Sequence, residues 1–194
     1  MIHHGGVKRK DETKARDILA ATLHEVAEHG LAALSIEAVA RRAGVATGTV
    51  YVYYKSKEAL LEALYLDAKR ALAGAVFRDE GLPVRPTFLK MCTAYLDYFV
   101  AHRAEMIFME QLYNAPFLSA ETRAAAELGV KPLHALLERG RREMLLKDLD
   151  DQVMIAFLQG ALQGLALLVA KEPAAKRATR REQIARLCWD ALKA

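Results

Sequence analysis

The sequence predicts an all-α protein: a compact N-terminal head of three short helices over residues 1–55, followed by a longer helical bundle over 56–194. Apolar residues recur at helical spacing almost throughout, and no run alternates with period two for long enough to make a strand. The clearest turn formers in the first half mark brief interruptions at Gly30, Gly44 and the stretch DEGLPVRP at 79–86. The two cysteines, Cys92 and Cys188, lie far apart inside helical patterns, which argues against a disulfide framework or a cysteine zinc site.

Composition sets the outer bounds. A chain of 194 residues that is 53% hydrophobic and 27% charged is long enough to bury a core and reads as soluble and globular. A net charge of +4 permits an anionic partner without requiring one, so the location of the charge matters more than its sum. The opening MIHHGGVKRKDETK is polar and basic with no apolar stretch behind it, so no signal peptide is expected. The uncharged run from Val153 to Ala170 carries Gln159, Gly160, Gln163 and Gly164, which suits a core or interface helix better than a membrane span. The expected compartment is a reducing cytoplasm, with no membrane partner.

The first helix follows from the stripe Ala15, Ile18, Leu19, Thr22, Leu23 and Val26, with Gly30 as its stop. Ahead of it, residues 1–12 form a basic arm in which Lys8, Arg9 and Lys10 are either a minor-groove probe or a solvated tail. Ser35 is a good N-cap for a second helix whose inward face is Ile36, Val39, Ala40 and Ala43, ending at Gly44. Arg41 and Arg42 on that helix read as surface charges. A third short helix spans Thr47 to Tyr54, and Ser56 caps a fourth with Leu60, Leu61, Leu64, Tyr65, Ala68 and Leu72 on its apolar side. Gly81, Pro83 and Pro86 mark a linker. Further helices are expected near 87–102, 104–113, 119–146 (interrupted around Gly129 and Pro132), 150–170 and 174–193.

The stretch GVATGTVYVYY at 44–54 carries the chemistry. Two helices joined by a tight glycine turn, the second too short to stand alone, form a helix-turn-helix pattern. On the third helix Val50 and Tyr54 point together, toward the first two helices. Gly48, Thr49 and Val52 point the opposite way. Tyr51 and Tyr53 fall about 200° apart, on the two flanks of that outer face. A helix lying in a major groove has a phosphate wall on each side, so a phenol on each flank can donate to each wall while small residues meet base edges. Lys57, at the start of the fourth helix, is mildly unfavourable there unless a phosphate lies beside it.

These residues carry a resemblance. SIEAVARRAGVATGTVYVYYKSKEALLEAL, residues 35–64, closely resembles the DNA-binding segment of the TetR family of bacterial transcription regulators. The Ala-Gly-Val turn, the Gly-Thr-aliphatic-Tyr core, the pair Tyr53-Tyr54 and the Ser-Lys-Glu helix start occur in order without a gap. The resemblance implies an all-helical homodimer with one such head per subunit and a C-terminal domain that binds a small effector. It implies phosphate contacts from Ser35 and Lys57, base contacts from Thr47, Gly48 and Thr49, and backbone or thymine-methyl contacts from Tyr51 and Tyr53. Val50 and Tyr54 would be core. Where family members often have a serine, this chain has Ala46, so Thr47 is expected to cap the third helix instead.

The C-terminal half supplies the dimer and effector expectations. Gly160 and Gly164 lie on one side of an uncharged helix, and Ile184, Leu187, Cys188, Ala191 and Leu192 make a stripe on the last, so these two helices are the expected dimer interface. The basic run KRATRREQIAR at 176–186 would be that helix's charged outer face. A largely apolar effector is expected against Met91, Tyr95 and Tyr98 on the fifth helix and Met106, Met109, Glu110 and Tyr113 on the sixth, with His134 and Gln163 as polar handles. No metal or cofactor is expected, because the histidines lack ligand spacing. No nucleophile, phosphate loop or metal signature points to an enzyme. The leading expectation is a ligand-responsive repressor on a pseudo-palindromic double-stranded DNA operator, and the alternatives are a ligand-independent DNA-binding adaptor and, behind it, an enzyme.

Overall fold

The computed structural model describes residues 5–78, 81–113 and 115–194, with side chains from Glu12 onward. Among the described residues the chain is helical with no strand. The elements are α1 (Gly5–His29), α2 (Ile36–Arg42), α3 (Thr47–Tyr53), α4 (Lys57–Val76), α5 (Val84–Ala101), α6 (Arg103–Tyr113), α7 (Ala120–Glu127), a 3-10 turn (Leu128–Val130), α8 (Lys131–Arg142), α9 (Asp151–Lys171) and α10 (Ala174–Leu192).

Two boundaries differ from expectation for identifiable reasons. α5 begins at Val84, so Pro86 sits inside its first turn, where a missing N–H costs no helical hydrogen bond. The interruption expected around Gly129 and Pro132 is present as a 3-10 turn at Leu128–Val130, with Pro132 in the first turn of α8, but α8 ends at Arg142 rather than near 146, just before Met144 enters the left-handed region (φ 56°). The backbone of α1 begins at Gly5, so Lys8, Arg9 and Lys10 stand on helix rather than on an extended arm. The side chains of those three residues, with Met1 to His4 and the linker residues Asp79 and Glu80, lie outside the described residues.

The chain packs as two compact units, one of Met1–Ala68 with Ala104–Ala124, the other of Lys69–Arg103 with Ala125–Ala194. In the first, α2 packs on α1 and on α3. Ile18, Val39, Val50, Leu60, Phe108 and Leu112 are among its fully buried apolar side chains. In the second, α10 packs on α5 and α9, and α5 on α8 and α9. There Phe88 meets Trp189 edge-on with ring centroids 5.4 Å apart. After α8 the chain turns back so tightly that a Cβ on Gly140 would stand 2.4 Å from Leu146 Cδ1, which only glycine avoids.

Candidate nucleic-acid interface and cavity

The head is assembled by caps and one ionic clamp. Ser35 is extended (φ −120°), and its Oγ accepts the Ala38 N–H at 3.1 Å, fixing the start of α2 as expected. Gly44 sits in the left-handed region (φ 67°), which turns the chain from α2 into α3 and favours glycine. Ser56 Oγ accepts the Ala59 N–H at 3.1 Å to start α4. Arg42 is no idle surface charge: its Nε donates to Glu25 Oε1 at 2.6 Å and its Nη2 to Glu28, tying α2 to α1. The hydrogen bond from Arg42 holds the Glu25 carboxyl below its ordinary range and outweighs the opposing effect of burial. His29 Nδ1 lies 3.4 Å from Glu25, so Glu25, Glu28 and His29 form a ligand-like group whose carboxylates already have Arg42 as partner.

Sequence reasoning missed this clamp because Arg42 and Glu25 stand 17 residues apart, and no local spacing joins them. The available signal was the position of Glu25, three residues after Thr22 and seven after Ile18, on the inward face of α1.

α3 presents the expected two faces. Val50 is fully buried, while Tyr51 is 48% and Val52 81% exposed. Gly48 is exposed and would meet nothing within 4 Å if given a Cβ, so its face is open. Thr47 and Thr49 are half-buried. Tyr54 is half-buried, and its hydroxyl donates to the Ala15 carbonyl at 3.4 Å, holding α3 against α1. Burial raises the phenol's pKa. Tyr53 leans on Tyr54, ring centroids 6.4 Å apart.

The start of α3 corrects one expectation. Ala46, not Thr47, is the N-cap, and no side chain caps the helix. Thr47 is therefore the first helical residue, which leaves its hydroxyl outside capping duty. Lys57 opens α4, half-exposed, with no ion pair among the described residues.

The residues named for an effector are divided between the two units. Met106 and Met109 are buried in the first unit, where Glu110 is exposed and without an ion pair among the described residues. Tyr113 is exposed there and lies under the Arg123 guanidinium, 6.0 Å away. The second unit holds a cavity of about 910 Å³ lined from the end of α4, α5 and α8, and of the named residues it includes Met91 and Tyr98. Tyr98 stacks on His102 with ring centroids 4.2 Å apart. His134 instead hydrogen-bonds Asp151 at 2.7 Å, while Tyr95 and Gln163 are half-buried away from the cavity lining. The division arises because α6 belongs to the first unit, which its helical stripe alone could not reveal.

The expected dimer residues also separate. Ile184 and Cys188 are buried within the single chain, where Cys188 shares a hydrogen bond with Cys92. That contact and burial push the Cys92 thiol well up. These two residues need no partner copy to bury them. Leu187 is 61% exposed, Ala191 is half-buried, and Gly160 and Gly164 are exposed with open space beside them. On α9 the exposed Val153, Phe157, Leu167 and Leu168 continue that open apolar face. By length and composition α9 could cross a membrane, with a mean hydropathy of 2.0, and 28% of that window is buried inside the chain.

Known proteins share both halves of this arrangement. Residues 18–64 match the profile of the bacterial regulatory proteins, tetR family. Residues 83–193, more than half of the chain, match that of the tetracyclin repressor-like C-terminal domain. The HTH-type transcriptional regulator BetI of Klebsiella pneumoniae is 41% identical over 71 residues, covering 36% of this chain and 36% of that protein. An uncharacterized HTH-type transcriptional regulator of Mycobacterium bovis is 34% identical over 79 residues, 41% of this chain and 37% of that one. The chain thus spans little more than a third of the length of the relatives it matches in sequence. A TetR family transcription regulator from Marinobacter aquaeolei VT8 has TM-score 0.84 at 22% identity, covering 96% of this chain and 98% of that one. The TetR-family transcriptional regulator HI0893 of Haemophilus influenzae has TM-score 0.77 at 21% identity, covering 94% and 98%. At such identities the structural likeness speaks to the fold.

Proposed function

The chain belongs to the tetR family of bacterial regulatory proteins, and we propose that it is a ligand-responsive transcriptional repressor acting in the cytoplasm. Two copies hold their α3 helices in successive major grooves of a pseudo-palindromic double-stranded DNA operator. The observation that carries this is the split of α3 between a fully buried Val50 and an outer face of Gly48, Thr49, Tyr51 and Val52. Thr47, Gly48 and Thr49 meet base edges; Tyr51, Tyr53, Ser35 and Lys57 hold the phosphate backbone.

The dimer forms through the exposed apolar face of α9 with Leu187 and Ala191 of α10. Gly160 and Gly164 allow close backbone approach there. A second copy accounts for that face better than a bilayer does, because Gln152, Gln159 and Gln163 lie on the same helix.

A small effector occupies the second unit's cavity. α4 begins with Lys57 and ends among the cavity-lining residues, at Ala75 and Val76, so one helix carries both a phosphate contact and a wall of the effector site. A ligand that prefers one setting of that helix alters operator affinity by its difference in affinity for the two settings. The role is recognition rather than catalysis. Selection of duplexes from a random-sequence pool tests the proposal. It predicts enrichment of an inverted repeat; enrichment of single unpaired sites, or of none, would contradict it.

A further inference from the structure

We infer that the cavity of the second unit takes an organic oxyanion carrying an apolar body, an inference that rests on the effector reading of that cavity. Arg139 of α8 lines it. Its Nη2 donates to the Leu82 carbonyl at 2.9 Å, but its Nε is buried with no hydrogen-bond partner among the described residues. The nearest carboxylate, Glu143 Oε1, lies 4.0 Å away, beyond hydrogen-bond reach. That Nε is closed to solvent even with the cavity empty, so what Arg139 offers a guest is the charge of its guanidinium rather than the Nε donor.

The surroundings favour an acceptor that is charged. Arg142, one turn further along α8, and Arg78 also line the cavity, and neither has an ion pair or hydrogen bond among the described residues. Lys90 adds a fourth cation to the lining, against two carboxylates, Asp97 and Glu138. Asp97 is already engaged by Arg181 of α10, which is not part of the lining. Among the described lining residues cations therefore outnumber carboxylates, which disfavours a cationic guest. A neutral apolar guest would leave the arginine charges of the lining unmatched.

The rest of the wall is apolar, with Val76, Met91 and Leu136 buried on three different helices. About 910 Å³ is far more than an inorganic anion fills. An oxyanion head at the arginines with a hydrocarbon or ring body against that wall satisfies both halves.

Titration calorimetry of the full chain with four ten-carbon probes separates the alternatives: decanoate, monodecyl phosphate, decan-1-ol and decyltrimethylammonium. At least one anion is expected to bind about tenfold more tightly than decan-1-ol, with no detectable binding of the ammonium. The order of the two anions identifies the head group. Arg139→Gln is expected to close the gap between the preferred anion and decan-1-ol. Because Arg139 also holds the Leu82 carbonyl, Arg142→Gln provides a second variant without a structural partner, and it should narrow the same gap.

Equal affinity for decan-1-ol and both anions, tighter binding of the ammonium, or no binding of any probe overturns the inference. An arginine-dependent anion that leaves operator affinity untouched would uphold it and defeat the effector reading instead.

Discussion

Replacing Lys57 by glutamine removes one positive charge per head at the first residue of α4 without deleting a contact inside the protein, since Lys57 has no ion pair among the described residues. If each Lys57 neutralises one phosphate, a dimer loses two such contacts. Each contact contributes about 0.9 to the slope of log affinity against log salt, so the slope should fall by about 1.8. Relative to the parent, affinity should drop roughly 60-fold at about 0.1 M salt and only roughly fivefold at about 0.4 M. The loss should be the same on operator and on unrelated duplexes, because phosphate contacts carry no sequence information.

Folding stability should move the other way. A cation at a helix start opposes the helix dipole by about 0.3–1 kcal/mol, so the variant's unfolding midpoint should hold or rise slightly. Fluorescence anisotropy across a salt series, with thermal unfolding alongside, measures both. An unchanged slope would refute the phosphate assignment, and a fall in melting temperature would show that Lys57 serves the fold.

Replacing Thr49 by valine keeps its shape and removes the hydroxyl, so the site selected from random duplexes should change at a few base pairs. An identical selected site would remove Thr49 from base readout. Leu187→Glu places a charge on an exposed apolar face and should yield folded monomers in analytical ultracentrifugation, with weak operator binding; a persistent dimer would move the interface elsewhere. The Glu25–Arg42 clamp predicts an acid limit for the head. The lowered pKa of Glu25 means that its contribution is complete above the ordinary carboxylate value of 4.5 and is lost as pH falls through the depressed folded value. Acid unfolding followed by circular dichroism should therefore be shallower in Glu25→Gln than in the parent, and identical profiles would exclude the clamp. Cys92 and Cys188 are both buried, so thiol titration should register neither in the native protein and both after denaturation.

What the sequence made legible was local. Ser35, Gly44 and Ser56 announce their caps and turn by residue type, and Val50 and Tyr54 announce the inner face of α3 by spacing. Contacts between distant segments were not legible. Helical spacing placed Ile184, Leu187 and Cys188 on one stripe, but only packing separates the two that meet the protein's own core from the one left exposed. Periodicity likewise shows that α5 and α6 have apolar faces without showing that they serve different compact units. Arg42 read as surface because a long side chain can reach back to α1 from a polar position. Arg139 was hidden for another reason: its place in the cavity lining depends on how α4, α5 and α8 pack, and spacing carries no trace of that.

The most direct test of a groove-reading α3 is nuclease footprinting of the dimer on its selected duplex, repeated with Tyr51→Phe and Tyr53→Phe combined. The account predicts two protected half-sites one helical turn or a multiple apart, about 34–36 Å per turn, and protection by the double variant only at much higher protein concentration. Absence of a protected site for the parent, together with a variant that behaves identically to it, would contradict the claim.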